Sequence, residues 1–360
     1  MRKDVVVVGA GPAGLYTALH IDTRKVTILE EHGEVGSPKH CSGIVGSLVA
    51  REISKLHPKI VDAYYEKTLF ITPTGKIELN FKKPFAFHVN RPLLEETLAT
   101  KVESRGHEII YRAKATPVNK SSVKAKNTVI DFTTLIVADG ANSLFRRFLV
   151  GDTPRYLHGL QLIVEAKNIE EKTLTIIYSN INPEFFAWII PLNDEEAQVG
   201  YASSKPMEKV LYKLIEENTD LKLVGVKERY GGLIPVHHPL KNPVLHGKIV
   251  FHGDSVPLIK PYTGGGLYYI FRLSPILGEY VDRDDLIPYS YIYMRTYYVK
   301  NSLERLLVNF FKKMRYYLPV QLISKLNKLS FLSLNDFDEH YKILFKALVF
   351  TPFSPLLLFS

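Results

Sequence analysis

A glycine-rich turn near the start of the chain restricts its fold more than any other feature. Gly9, Gly11 and Gly14 form a Gly-x-Gly-x-x-Gly pattern directly after the apolar run Asp4–Val8. The pattern predicts a strand, a tight turn and a helix over Ala13–Ile21. Gly9 permits the turn, Gly11 leaves the backbone open to a phosphate group, and Gly14 lets the helix pack closely on the strand. The turn therefore predicts an α/β fold built on a parallel sheet.

An acidic residue ends the next predicted strand, Val26–Glu30. Glu30 stands at the spacing where a carboxylate accepts hydrogen bonds from the ribose hydroxyls of an adenosine. The same charge would repel a 2′-phosphate, so the turn and the carboxylate together predict FAD or NAD rather than NADP. A glycine turn that is only structural is the alternative.

Two later segments repeat the order of strand, turn and helix. The first contains Asp139 and the second contains Asp254, which precedes the glycines Gly264, Gly265 and Gly266. Asp254 could accept a hydrogen bond from a ribityl hydroxyl, and a helix opened by Gly266 would direct its N–H groups at an anionic group. A plain NAD dehydrogenase has no use for this second unit, so we predict FAD as the cofactor. Each segment alone could be an ordinary Asx turn.

The middle of the chain has a different pattern from its ends. Short alternating runs between residues 157 and 236 predict an antiparallel sheet, and Lys248–Phe251 then resumes a buried strand before a helix over Leu267–Tyr280. We predict a doubly wound parallel sheet for the FAD, an inserted, mainly antiparallel β substrate domain, and a short helical C-terminal region. The predicted boundaries are 1–156 for the first part of the FAD-binding domain, 157–236 for the substrate domain, 237–280 for the completion of the FAD-binding domain and 281–360 for the C-terminal region.

Aromatic residues lie on one predicted strand of the inserted domain. Phe186 and Trp188 share one face of it by the two-residue period, and Pro191 ends it. These side chains could be a sheet core, or they could form the wall of a slot for a long hydrocarbon.

Cys41, the one cysteine of the chain, lies in the loop after the second strand. One cysteine excludes a disulfide framework within the chain, and we predict no metal site. Its thiol could line the cofactor or assist protonation of a substrate, or it could be an inert buried cysteine.

The Asp139-Gly140 and Gly253-Asp254 pairs resemble those of the flavoprotein group that includes p-hydroxybenzoate hydroxylase. Within that group the chain is most similar to the geranylgeranyl reductase family, including the archaeal digeranylgeranylglycerophospholipid reductases. The segments that carry this resemblance are Pro38–Gly43 (PKHCSG) and Pro183–Pro191 (PEFFAWIIP), with Gly200 beyond. The resemblance implies an FAD-dependent oxidoreductase that saturates carbon–carbon double bonds of isoprenoid chains.

The resemblance and the turns together give our predicted site. Cys41 is the predicted catalytic residue, and Phe186, Trp188 and Pro191 are the predicted substrate contacts. The residues that the family resemblance places at the cofactor are Ala13, Glu30, Cys41, Ser42, Ile44, Arg91, Ala115, Asp254, Gly266 and Leu267, and the turns add Gly9, Gly11, Pro12, Gly14, Asp139, Gly264 and Gly265.

Other functions stay open at this point. A flavin monooxygenase would use the same fold, and altered motif positions such as Ile190 leave room for a non-catalytic flavin- or lipid-binding paralogue. The predicted partners are a prenyl lipid and an electron donor, which is NAD(P)H, ferredoxin or another reductase.

The net charge of +9, with Lys312, Lys313 and Arg315 near the end, is either a solvated surface or an attraction to anionic lipids. No nucleic-acid module accompanies it. Residues 343–360 are apolar but interrupted by Lys346, Pro352 and Pro355, so we predict a cytoplasmic protein with peripheral membrane contact and no membrane span.

Overall fold

The computed structural model describes residues 1–73, 75–313, 337–339, 341–343 and 345–346, without the side chains of residues 311–313. Its strands, in chain order, are β1 (Arg2–Val8), β2 (Val26–Leu29), β3 (Ile44–Gly46), β4 (Val61–Tyr65), β5 (Lys67–Thr72), β6 (Gly75–Asn80), β7 (Ala86–Val89), β8 (Glu108–Ile110), β9 (Ala115–Pro117), β10 (Ser122–Ala125), β11 (Thr128–Val137), β12 (Tyr156–Lys167), β13 (Thr173–Ser179), β14 (Asn182–Pro191), β15 (Glu196–Ser203), β16 (Lys222–Pro235), β17 (Val244–Leu245) and β18 (Ile249–Phe251).

The helices alternate with these strands mainly in the first and last parts of the chain. They are α1 (Pro12–Ala18), α2 (Ser47–Leu56), α3 (Arg91–Ser104), α4 (Leu144–Val150), α5 (Glu208–Asn218), α6 (Leu267–Asp282), α7 (Ile287–Ile292) and α8 (Val299–Lys313), with a π-helical turn at Tyr293–Tyr298 between the last two.

The nucleotide sheet has β1 at its centre, and its main path runs in the order β17-β18-β11-β1-β2-β8. The pairs β11–β1, β1–β2, β2–β8 and β11–β18 are parallel. Val5, Val6 and Val7 of β1 are fully buried, as is usual for a central strand of a parallel sheet that is covered on both faces. β18 joins this sheet only after the inserted strands, which confirms the predicted interruption and the α/β fold class.

Helix α1 packs closely between α3 and α6. A Cβ on Gly278 of α6 would lie 2.2 Å from the carbonyl oxygen of His20, so only glycine allows this approach. Inside the same contact, Thr17 of α1 donates a hydrogen bond to Ser274 of α6 at 3.0 Å. The helix that follows the first glycine turn, α1, is thus packed closely against α6, the helix that follows Gly264–Gly266.

The second sheet has seven strands in the order β16-β12-β15-β14-β13-β5-β6. Its pairs are antiparallel except for β13–β5, where residues distant in sequence run parallel. The consecutive strands β5 and β6 pair antiparallel at one edge of this sheet. Helix α5 covers one face with Leu211, Leu214 and Ile215, and the other face, with Phe186 and Trp188, turns toward the nucleotide sheet.

A small sheet, β3-β7-β4, lies beside α2. Beyond α6, the predicted helical C-terminal region begins with α7 and α8, and residues 314–336 lie outside the described residues. Arg315 and most of the apolar run 343–360 also lie outside them. Within the described part of the chain, no helix is long and apolar enough to cross a membrane.

Candidate functional site

The glycines of the first turn have different surroundings. Gly9 has a φ of +98°, and a Cβ there would lie 2.4 Å from the carbonyl oxygen of Ala138. A Cβ on Gly14 would lie 2.1 Å from the carbonyl oxygen of Gly9. A Cβ on Gly11 would meet no described atom within 4 Å, because Gly11 faces a cavity. Gly9 and Gly14 therefore maintain the fold, and Gly11 keeps space free for a ligand.

Glu30 lies directly beside this turn. Its carboxylate accepts hydrogen bonds from the backbone N–H groups of Ala10 at 2.7 Å and His32 at 2.8 Å. These bonds fix the carboxylate at the end of β2, next to the backbone of the glycine turn. A ribose that donates hydroxyl groups to Glu30 would therefore stand beside the opening that Gly11 leaves.

The second glycine motif contacts the first. Gly253 has a φ of +66°, and a Cβ there would lie 2.6 Å from the Cβ of Ala13. Asp254 follows, and its Oδ1 would lie 3.1 Å from a Cβ on Gly266, the residue that opens α6. Residues from both ends of the nucleotide fold, Ala13 and Asp254, thus line one cavity.

Asp254 and Arg91 are partly buried charged groups that face this cavity. Burial raises the pKa of Asp254 to about 6, although the positive charge of Arg91 acts in the opposite direction. Burial lowers the pKa of Arg91, but Glu95, whose Oε1 is 2.5 Å from Nη2, and Cys41 more than offset it, so the pKa lies above its ordinary value. Within the described residues the buried Nε of Arg91 has no hydrogen-bond partner. A polar ligand would satisfy both groups.

The loop that carries Cys41 is held against the seven-stranded sheet. Gln161 donates a hydrogen bond to the carbonyl oxygen of His40 at 3.4 Å, and a Cβ on Gly232 would lie 2.3 Å from that oxygen. The Cys41 thiol interacts with Arg91. The pKa of Tyr230 is raised by burial and, to a smaller extent, by Cys41. Cys41 therefore lines the cavity between the two sheets.

One cavity of about 500 Å³ connects these groups with the aromatic strand. Its polar part is lined by both glycine motifs, Arg91 and the Cys41 loop. Its apolar part is lined mostly by aliphatic and aromatic side chains of the seven-stranded sheet and of the segments beside it, which are Phe70, Leu79, Phe85, Leu174, Ile176, Phe185, Phe186, Trp188, Ile190, Val308, Phe337 and Ile343.

The floor of the apolar part is a row of residues that crosses the sheet. The register pairs Gln161 with Gly200, Gly200 with Trp188, Trp188 with Ile176, and Ile176 with Phe70. Directly paired residues project from the same face, so the row runs perpendicular to the strands. Its side chains become apolar with distance from Gln161.

Gly200 is required in this row because the indole ring of Trp188 lies over it. A Cβ on Gly200 would lie 2.7 Å from Cζ2 of Trp188. The ring of Phe186 stands nearly perpendicular to the indole, with centroids 6.0 Å apart. The predicted substrate residues Phe186 and Trp188 therefore lie together in the wall.

Several predicted site residues lie away from the cavity lining. Asp139 accepts the N–H of Phe145 at 3.2 Å at the start of α4, and burial raises its pKa. The carbonyl of Pro191 accepts the Tyr65 hydroxyl at 2.8 Å, and Ala115 is buried in β9. The remaining predicted residues that line the cavity are Pro12, Ser42, Ile44, Gly264, Gly265 and Leu267.

Other residues of the site lack a signal in the sequence. Lys260 and Tyr262 line the cavity from the loop before α6, and Phe337 lines it from far along the chain. His252 is buried, and its Nε2 is 2.8 Å from the Ser274 hydroxyl behind the Gly253-Asp254 turn. The position of Lys260 and Tyr262 beside the Gly264–Gly266 turn is the only feature that could have indicated them.

The residues present fit FAD on three observations. Gly11 leaves open space at the glycine turn, and the Arg91 Nε is buried without a described partner. Desolvation raises the pKa of the partly buried Asp254 carboxyl to about 6, more than the charge of Arg91 lowers it. No described side chain caps α6, so its first N–H groups are available beside Gly264–Leu267. A dinucleotide with a pyrophosphate, hydroxyl groups and a ring that accepts hydrogen bonds would satisfy all of them.

Comparison with known proteins gives relatives by sequence. The chain is 25% identical to a protein of Methanospirillum hungatei named digeranylgeranylglycerophospholipid reductase, over 84% of this chain and 83% of the relative. It is 26% identical to digeranylgeranylglycerophospholipid reductase 1 of Methanococcoides burtonii, over 77% and 74%. An uncharacterized protein of Methanocaldococcus jannaschii is 24% identical over 78% and 75%. No family model matches the chain.

Solved structures share the fold. A geranylgeranyl bacteriochlorophyll reductase-like protein of Thermoplasma acidophilum superposes with a TM-score of 0.73 at 20% identity, covering 95% of this chain and 91% of the other. The flavin-dependent brominase Bmp2, as a triple mutant, superposes with a TM-score of 0.70 at 16% identity, covering 95% and 93%. The sequence relatives and these structures confirm the resemblance to the geranylgeranyl reductase family and, with it, the interpretation of the chain as an FAD-dependent oxidoreductase.

Proposed function

We propose that this protein uses FAD to reduce carbon–carbon double bonds in the isoprenoid chain of a prenyl lipid. The observation that carries the proposal is the continuity of the cavity, in which the polar part at Gly11 and Asp254 leads directly into the apolar part at Trp188. A long hydrocarbon needs an apolar surface of this kind, and a small polar substrate does not.

The wall residues would exclude water and orient the chain. Phe186, Trp188 and Ile176 supply flat or branched apolar surface and almost no hydrogen-bonding groups. An isolated double bond has no group that forms hydrogen bonds. Its position in the slot therefore depends on the shape of the slot and on contacts along the whole isoprenoid chain. Bound FAD, when reduced, supplies the electrons and hydrogen that an alkene takes up.

Cys41 is our proposed catalytic residue. It lines the polar part of the cavity, and Arg91 and Tyr230 lie beside it. A thiol there can face the substrate carbon that needs a proton. Arg91 would stabilise negative charge left on the sulfur, because its own guanidinium stays charged.

The test is a single turnover under anaerobic conditions. The protein is reduced with dithionite and mixed with a geranylgeranyl lipid. The mass of the lipid is then measured by mass spectrometry. We expect one added H₂ for each saturated double bond, with reoxidation of the bound FAD at the same rate. Cys41→Ser should keep FAD but slow this reoxidation.

Two outcomes would contradict the proposal. In a parallel reaction under air, dioxygen consumption matched to an oxygenated lipid would identify a flavin monooxygenase. Full FAD occupancy with no mass change in any prenyl lipid would identify a non-catalytic paralogue. The Gly11→Val variant, prepared without FAD, is the negative control.

The partners follow from the same proposal. The curated relatives are named for a phospholipid that carries isoprenoid chains, and such a lipid lies in a membrane. We therefore propose peripheral contact with a membrane surface and an external electron donor. NAD(P)H, ferredoxin and another reductase are all compatible with the described cavity.

A further inference from the structure

The apolar part of the cavity is bounded by an aromatic cluster built from distant segments. The cluster consists of Phe81, Phe85 and Phe337, with ring centroids 4.6 Å apart for Phe81–Phe85, 4.7 Å for Phe81–Phe337 and 5.2 Å for Phe85–Phe337. Phe85 and Phe337 line the cavity, and Phe81 packs against both rings. The wall is therefore two rings deep at this point.

The cluster stands at the far edge of the seven-stranded sheet. The cavity floor crosses the sheet from Gln161 on β12 to Phe70 on β5, and β6 with Leu79 is the last strand. Phe81 follows β6 directly. Neighbouring strands are about 4.8 Å apart, so three steps separate β14, which carries Trp188, from β6 by roughly 14 Å.

Phe337 is fixed by two tethers. Its carbonyl oxygen accepts a hydrogen bond at 3.0 Å from Lys260, which is itself buried. Its neighbour Asp338 accepts the backbone N–H of Leu48 at 2.9 Å, at the start of α2. A Cβ on Gly46 would lie 2.2 Å from Asp338 Oδ1, so the backbone at Gly46 approaches this carboxylate closely. The backbone that carries the Phe337 ring is therefore anchored at two points.

We propose that Phe337, backed by Phe81 and Phe85, is the end wall of the slot and sets the maximum length of hydrocarbon that it accepts. This inference rests on the proposed function and adds to it a residue that determines chain length. Each further isoprene unit raises the affinity of the hydrocarbon for the protein only while apolar surface of the slot is still unoccupied. A unit beyond the wall gains no further contact with the described cavity unless it displaces the Phe337 ring.

The test measures binding of saturated isoprenoid alcohols of two, three, four and five units to the FAD-loaded protein. Trp188, the one tryptophan of the chain, reports binding by its fluorescence, with each alcohol presented in micelles of one neutral detergent. We expect the affinity to rise roughly tenfold or more for each unit and then to level off. In Phe337→Ala the chain length at which the affinity levels off should increase by one isoprene unit.

Controls separate the end wall from a loss of folding. Tyr291→Ala removes an exposed aromatic ring of α7 and should leave the profile unchanged. FAD content and thermal unfolding are measured for every variant, and Phe85→Ala replaces Phe337→Ala if the latter does not fold.

The outcomes distinguish the two proposals. If the alcohols bind but no variant shifts the chain length at which the affinity levels off, the end wall alone is overturned. This result is expected if the hydrocarbon leaves the cavity past Val308 and Ile343. No binding of any alcohol by the FAD-loaded protein would overturn the proposed function together with it.

Discussion

At the scale of single residues, substitutions of Gly11 and Gly14 in the first turn should have different effects, one on FAD binding and the other on stability. Gly11→Val should abolish FAD binding without destabilising the protein, because the new side chain enters the cavity. Gly14→Ala should lower stability by about 1–3 kcal/mol, because its Cβ would collide with the Gly9 carbonyl. FAD released on denaturation and the unfolding midpoint of the FAD-free proteins measure the two effects separately. A yellow Gly11→Val protein would contradict the assignment of the pyrophosphate to this turn.

Asp254 should make the stability of the FAD-free protein depend on pH. Burial raises its pKa from 3.8 to about 6, so the folded protein binds this proton more tightly than the unfolded chain. The contribution of this proton to the free energy of unfolding is complete below pH about 4 and is lost as the pH rises through about 6. The shift corresponds to about 3 kcal/mol. The free energy of unfolding is measured in urea from pH about 4 to about 7. Over this range the free energy of unfolding of Asp254→Asn should rise relative to that of the wild type by up to this amount.

FAD binding should show the opposite dependence on pH. Hydroxyl groups that donate to Asp254 favour its charged form, so binding releases a proton and becomes tighter as the pH rises from about 5 to about 7. The dependence should disappear in Asp254→Asn. Parallel pH profiles of the two proteins, in stability and in affinity, would mean that this carboxyl does not titrate in the range.

At the scale of elements, a buried hydrogen-bond chain connects three parts of the nucleotide fold. Thr17 of α1 bonds Ser274 of α6, which bonds His252 at the end of β18. Burial lowers the pKa of His252 to about 4, so the imidazole is neutral at ordinary pH and needs a neutral partner. The chain sets the position of the Gly253-Asp254 turn relative to α1.

Ser274→Ala should therefore cost about 1–3 kcal/mol, because it leaves a buried ring nitrogen of His252 without its partner. Ser290→Ala is the matched control, since that exposed hydroxyl bonds only the carbonyl of its own helical turn among the described contacts. Its cost should stay within about 0.5 kcal/mol. Equal unfolding free energies for the two variants would mean that His252 finds another partner.

At the scale of the whole molecule, local pattern determined what could be predicted. The strand, turn and helix at Gly9–Gly14 are predictable because their residues are adjacent in sequence. The helix predicted over Leu267–Tyr280 is likewise present as α6 (Leu267–Asp282). Strand β16 was not predicted, since its pairing with β12 contains register shifts and its sequence includes charged residues and glycines. Helix α5 was missed in a region where strand-like runs dominate.

Contacts between distant segments could not be predicted from these patterns. The parallel pairing of β13 with β5 joins an early hairpin to the inserted strands, and nothing in either segment specifies the other. The same holds for Phe337 against Phe81 and Phe85. Arg91 is placed at the cofactor by the family resemblance alone, whereas Cys41 and Asp254 are also indicated by the loop and the turn in which they lie. The proximity of the three residues is visible only in the folded protein.

The late return of β18 to the nucleotide sheet has a consequence for how the chain folds. β18 pairs with β11 across the whole insertion, and an open loop of that length would carry a large closure entropy. The pairing of Tyr156 with Pro235 brings the two ends of the insertion together. Once β12 and β16 have formed, only short connections separate β11 from β18, so the inserted sheet should assemble first and the nucleotide sheet should be completed last.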